Sequence, residues 1–283
     1  VVAASENIVE LSNGCICCSL HSDFTTVVEN LATSSFEFDH LLVETTGIAD
    51  PLSIVKKFIE GENIQFQFRV ESVVCVVDAE NMEDLMTEQI EIQQQLAFAD
   101  CIIINKTDSV SKTYADKLME MLKALYPLAQ MYATSFGNIE NIELTESYAY
   151  DALMLEKSVK KFVIAPKEQK TNLLRNASGL KHHIEAVGFE FDRVFDIEKF
   201  SCWIRNYLYF NKTTIYRAKG ILAFDEMPEK YIFHSVRGSF LFEAGSDWGN
   251  EKPQSKLVFI GKNINEPELK LHLEELLVAL TQN

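Results

Sequence analysis

The apolar positions of this chain follow two periods, and the switches between them mark strands and helices. Three compact apolar runs read as buried strands: residues 38–43 (FDHLLV), 73–77 (VVCVV) and 101–104 (CIII). Helical spacing separates them. Leu20, Phe24, Val27, Val28 and Leu31 lie on one face of a predicted helix over 19–31. Ala49-Asp50-Pro51 opens another helix, with proline at an early position. Further helices are predicted over 88–98 and 115–125, the latter stopped by Tyr126-Pro127. Strands alternating with helices of this length predict a parallel sheet, which residues 130–133 complete.

Beyond residue 186 the pattern changes. Residues 188–194, 215–224, 231–236, 240–242 and 257–260 read as strands, the last four following one another without a helix between them. Residues 197–210 form an amphipathic helix with Phe200, Trp203, Ile204, Tyr207 and Leu208 as its apolar stripe. Asn265-Glu266-Pro267-Glu268 starts a closing helix predicted to reach Leu280. The fold class is therefore α/β, with two domains. Residues 1–155 carry a mostly parallel sheet flanked by helices, residues 156–186 are a linker, and residues 187–283 form a smaller domain with a largely antiparallel sheet. Arg217, Lys219 and Arg237 are read as sheet-face charges and Trp248 as packing.

Composition narrows the function. The 283 residues suffice for two modest cores, and 47% hydrophobic with 24% charged residues is ordinary for a globular protein. A formal net charge of −16 repels phosphate backbones and anionic membranes, so nucleic acid and membrane partners are excluded. No apolar run reaches the ~20 residues of a membrane-spanning helix. The six cysteines show no disulfide framework, which points to a reducing compartment, and a cytoplasmic location is expected. The chain opens Val1-Val2-Ala3-Ala4, with no methionine or signal peptide, and reads as if it enters mid-domain.

Three short motifs carry chemistry. Gly14-Cys15-Ile16-Cys17-Cys18 places three thiolates within four residues. Such soft ligands suit zinc, and Co²⁺ also fits. Three of them fill most of a tetrahedral shell and leave one position open, as a site that passes its metal on requires. A chance cluster of buried cysteines and redox use are the alternatives. A Cys17–Cys18 disulfide between neighbours is badly strained. Second, the strand over 38–43 ends in Glu44-Thr45-Thr46-Gly47. An acid followed by a glycine at the carboxyl end of a buried strand is the layout of a phosphate and Mg²⁺ site, the acid orienting metal or water and the glycine admitting a phosphate close to the backbone. A strand capped by an ordinary turn is the alternative. Third, the strand over 101–104 ends in Asn105-Lys106-Thr107-Asp108. A carboxylate there accepts two hydrogen bonds from the N1 and N2 edge of guanine, for which adenine has no matching donor pair. The lysine stem lies along the base and the asparagine amide braces the loop. Thr134-Ser135 stand where a loop could close over a base, a role the sequence alone does not fix.

Taken in order, these motifs resemble those of the CobW-type GTPases, a family of P-loop metallochaperones. IVELSNGCICCSL, LLVETTGIADP, VVDA, QLAFADCIIINKTD, IYRAKGIL and LVFIGK all look like that family's blocks. The resemblance implies a P-loop GTPase-type domain followed by a CobW C-terminal domain. It implies a metal loop of Cys15, Cys17 and Cys18, a catalytic switch element of Glu44 and Gly47 that senses Mg²⁺ and the γ-phosphate, and guanine recognition by Asn105, Lys106 and Asp108. The implied function is a GTP-dependent metal chaperone or insertase, zinc being the first candidate, with GTP, Mg²⁺ and Zn²⁺ as ligands and a client metalloprotein as recipient. A homo-oligomer is compatible with the sequence.

The chain departs from the family's pattern twice. It has no G-x-x-x-x-G-K-[ST], the loop that cradles phosphates and supplies a hydroxyl to Mg²⁺. It reads as lacking the first strand, that loop, its helix and the first switch. GTP hydrolysis is expected of the full-length protein, and the polypeptide as it stands is expected not to turn GTP over. The rival reading is a catalytically degenerate metal-binding scaffold or interaction protein. A third is an ordinary GTPase with a structural zinc. The linker also carries only His182-His183 where many relatives have a histidine-rich tract, so bulk metal buffering is not expected.

Overall fold

The computed structural model describes residues 3–5, 8–10, 21–34, 37–45, 47, 51–61, 64, 66–139 and 184–278. They fall into two compact units, 1–70 and 71–283.

In the first unit, strands β1 (Ala3–Ser5) and β2 (Ile8–Glu10) pair antiparallel. Helices α1 (His21–Thr33) and α2 (Pro51–Glu60) present Phe24, Val28 and Ile54 to a small core with Ile64, against which Leu41, Val43, Phe58 and Phe68 pack. The strand predicted over 38–43 is a correction. Residues 37–45 run without a ladder, Leu41 and Val43 half-buried and Leu42 87% exposed. The apolar run secures one face of contacts, but no described strand hydrogen-bonds to it, and a strand needs a neighbour to exist as one.

The second unit begins with three parallel strands in the order β3 (Val74–Asp78), β4 (Cys101–Asn105), β5 (Gln130–Ala133). β4 is central and buried through Ile104, as its run of β-branched residues requires. The helix predicted over 88–98 is two helices, α3 (Met82–Glu88) and α4 (Ile90–Phe98). Gln89 adopts an extended backbone and breaks the path between them. Helix α5 (Lys112–Leu125) is capped by the Ser111 hydroxyl, which accepts the Tyr114 N–H.

A five-stranded antiparallel sheet follows, in the order β6 (Ile184–Phe191), β10 (Ser255–Lys262), β7 (Ile215–Leu222), β8 (Glu229–Val236), β9 (Ser239–Asp247). Helices α6 (Ile197–Phe210) and α7 (Glu266–Glu275) bury Phe200, Ile204, Leu208, Leu269 and Leu273 in one core with Ala218, Leu222, Phe233 and Phe259. Gly220 is required at the centre, because a Cβ there would lie 2.6 Å from the Lys256 carbonyl oxygen. α7 ends at Glu275 rather than Leu280. Leu277 turns back to bridge Phe195, and the Val278 N–H donates to the Val194 carbonyl. Tertiary hydrogen bonds thus replace the last helical turn. Trp248 is buried, as expected, with the Lys230 ammonium 5.0 Å from its ring centre.

Both faces of β7 are buried, and the face away from α6 carries charge. Arg217 and Lys219 each place a nitrogen 2.5 Å from Oδ1 of Asp100, the residue just before β4. The other Asp100 oxygen accepts the Val73 N–H, and Arg217 also donates to the Phe98 carbonyl. Arg237 bonds Gln94 and lies over the Phe98 ring. Arg217 and Lys219 belong to the sheet face, as expected, but are buried and join the antiparallel sheet to the start of β4, whereas Arg237 is half-buried in the turn between β8 and β9 (φ 49°) rather than on the sheet face. Burial alone would push Asp100 up, yet Arg217 and Lys219 outweigh it and hold its carboxyl below the usual range. Burial, with Arg217 beside it, outweighs the Asp100 carboxylate and brings Lys219 down to about 8. Burial and the same two cations keep His234 neutral. Among the described residues no helix is long and apolar enough to cross a membrane.

Two outcomes follow from this cluster. Asp100→Ala takes a carboxylate away from two buried cations and should cost about 3–5 kcal/mol in urea denaturation. Between pH 8 and the ordinary lysine value of 10.5, the unfolded chain binds more protons at residue 219 than the folded one. Stability from this residue therefore rises with pH across that window and is lost as pH falls to about 8. In Lys219→Met the rise should flatten.

Candidate functional site

The register of the parallel sheet builds the site. Asp78 pairs with Asn105, so β3 and β4 end side by side. The chain then turns sharply. Lys106 takes a left-handed backbone (φ 60°), and Thr107–Ser109 form one 3-10 turn. The turn sends the Lys106 side chain back across the strand ends, where Nζ lies 2.7 Å from Asp78 Oδ2. Asp78 also accepts the Glu80 N–H and the Asn81 amide. The Lys106 hydrogen bond, with these two, holds the Asp78 carboxyl below its ordinary range, and the same bond raises Lys106. The pair is partly exposed, so its worth is geometric more than energetic.

A second loop, after β5, is bonded to the first. The Thr107 N–H and hydroxyl both reach the Thr134 carbonyl, at 3.1 and 2.9 Å. Thr107 Oγ1 lies 3.0 Å from Ser135 Oγ. The Gly137 N–H donates to Asn105 Oδ1 at 3.0 Å. Gly137 has φ +67°, a conformation glycine adopts without strain. Asn105, Lys106, Thr107, Asp78 and the 134–138 loop are thus one assembly. Asp108 stands exposed on the 3-10 turn, and among the described residues nothing donates a hydrogen bond to its carboxylate. Its two oxygens are available to an external pair of N–H donors.

The Asn105 amide braces the loop, as expected, and Thr134-Ser135 close against the motif, while Lys106 is paired with Asp78. The sequence reading missed Asp78 as the partner of Lys106, although VVDA places an acid at the neighbouring strand end. It also missed Gly137, which needed the register to reveal it.

Of the other predicted site residues, Glu44 and Gly47 belong to the first unit. Glu44 is exposed at the end of the unpaired run in the first unit. Gly47 is exposed as well, and a Cβ built there meets nothing within 4 Å. Cys15, Cys17 and Cys18 lie outside the described residues, as do His182 and His183. Among the described residues no group of three His, Cys, Asp or Glu could hold a metal ion.

Residues 1–133 match the CobW/HypB/UreG nucleotide-binding domain, and residues 184–277 match the cobalamin synthesis protein cobW C-terminal domain. The chain is 30% identical over 267 residues to zinc chaperone YjiA of Escherichia coli, covering 93% of this chain and 80% of that protein. It is 27% identical over 289 residues to zinc-regulated GTPase metalloprotein activator 1 of Schizosaccharomyces pombe, covering 92% and 69%. The crystal structure of Zn(II)-bound YjiA GTPase superposes with a TM-score of 0.71 at 28% identity, covering 94% of this chain and 81% of that one.

The bond from Gly137 to Asn105 is what ties the two loops at the exposed side. Asn105→Ala should weaken GDP binding by the full-length protein about tenfold, the worth of one such hydrogen bond. Calorimetric titration of GDP against wild type and variant checks it.

Proposed function

Because the chain belongs to the CobW/HypB/UreG family, we propose that it is a GTP-dependent zinc chaperone that passes its metal to a client metalloprotein. The observation that carries this reading is the assembled loop at the end of β4, with Asp108 left free to accept hydrogen bonds. Guanine presents N1–H and N2–H on one edge, and a carboxylate can take both. Adenine presents no such pair. The relatives supply the metal, since they are named as a zinc chaperone and a zinc-regulated GTPase.

In this reading Cys15, Cys17 and Cys18 hold zinc through three thiolates and leave a fourth position for the client's ligand. Co²⁺ fits the same donor set. Glu44 and Gly47 sense Mg²⁺ and the γ-phosphate, Gly47 having open space where a Cβ would stand. One helix separates them in sequence from the cysteines, so ordering by GTP reaches the metal loop. Nucleotide and zinc affinities then change each other by the same factor. Hydrolysis, in a protein that carries the phosphate loop with this chain, relaxes the switch and releases zinc. The acidic charge and cysteine usage suit a cytoplasmic protein.

The test separates the two sites. Asn at position 108 keeps one acceptor and gains a donor, which suits the oxo group that xanthine carries in place of guanine's amino group. Asp108→Asn should weaken GDP roughly a hundredfold, the worth of two bonds to a charged acceptor, and strengthen XDP. Cys15→Ala should lower zinc affinity and leave GDP affinity unchanged. Unaltered GDP binding in the first variant, or unaltered zinc binding in the second, contradicts the assignment.

A further inference from the structure

Phe136 stands out in the loop after β5. It is 88% exposed, and its backbone is left-handed at φ 56°. Aromatic residues seldom adopt that conformation, which crowds Cβ against the following carbonyl. An exposed ring also earns nothing from burial. Among the described residues Phe136 makes no ring contact. Neither the fold nor the core accounts for it.

Its neighbours do. Ser135 Oγ is 3.0 Å from Thr107 Oγ1, and the Gly137 N–H donates to Asn105 Oδ1. The Thr134 hydroxyl closes the loop on the Asn138 carbonyl, and the Asn138 N–H returns to Ser135. The residue on either side of Phe136 is therefore bonded to the Asn105–Asp108 motif itself. The ring's position is set by the groups that recognise the base, and its faces are open to solvent.

We propose that Phe136 is a stacking platform for the nucleobase, packing its ring on the face of the guanine whose edge Asp108 reads. This inference rests on the guanine-site reading. Stacking and edge recognition divide the work. A ring accepts any base by its π-face, whereas Asp108 selects among bases. The strain at φ 56° is held by the two flanking bonds, which keeps the ring in place before nucleotide arrives.

The experiment is calorimetric titration of the full-length protein with GDP and with IDP, whose base lacks the N2 amino group. Phe136→Ala should weaken both nucleotides alike, by about tenfold to a hundredfold. Its thermal midpoint without nucleotide should stay at the wild-type value, since an exposed ring stabilises nothing. Phe136→Tyr should restore affinity to within about threefold. Phe136→Trp should bind GDP with quenching of the new indole emission. Asp108→Ala, run in parallel, should weaken GDP more than IDP. If Asp108→Ala behaves so while Phe136→Ala binds both as wild type does, stacking is overturned and the guanine site stands. If the Tyr variant fails to restore what the Ala variant loses, stacking is likewise overturned. If wild type binds neither nucleotide, the guanine-site reading and the platform fall together.

Discussion

One buried carboxylate decides how the second unit is put together. Asp100 sits just before β4 and takes both cations of β7, Arg217 and Lys219, on a single oxygen. The antiparallel sheet meets the parallel one where Asp100 can reach both cations. A buried ion cluster of this kind is weak evidence for stability, because desolvation consumes most of its Coulomb energy. Its effect is on register. Sliding β7 by one residue would move both cations to the α6 side and leave the buried Asp100 carboxylate without its cations.

The same strand carries the Asn105–Asp108 loop, proposed to read the base, at its other end. β4 is five residues, about 17 Å, and buried through Ile104. One end is clamped to the C-terminal sheet and the other ends in Asn105. The loop beyond is held by Asp78 from β3 and by Thr134, Ser135 and Gly137 from the segment after β5. Two left-handed residues, Lys106 and Phe136, store strain in this loop, and hydrogen bonds on each side retain it. The two loops are thus held to each other by the chain's own hydrogen bonds.

Much of this was legible in the sequence, for physical reasons that vary along the chain. Periodicity gave β4, β5 and α6 to within a residue or two, because their apolar positions face one environment. The run at 38–43 has the composition of a buried strand yet has no ladder among the described residues, and composition cannot report whether a neighbour is present. The closing helix was overextended, since Leu277 pairs with Phe195 in a contact that no local pattern encodes. Arg217 and Lys219 were placed on the sheet face, but their burial depends on Asp100, more than a hundred residues away. The Asn105–Asp108 motif, proposed to read guanine, stood out because its residues are consecutive. Its supports, Asp78 and Gly137, became visible only once register brought three strand ends together.

The central claim is that nucleotide state governs zinc. The most direct measurement is zinc affinity of the full-length protein by chelator competition, first with a non-hydrolysable GTP analogue and Mg²⁺ and then with GDP. The account predicts a clear difference between the two states, matched by an equal change in nucleotide affinity when zinc is bound. Equal zinc affinities in both states would contradict it and leave the metal as a structural element of the protein.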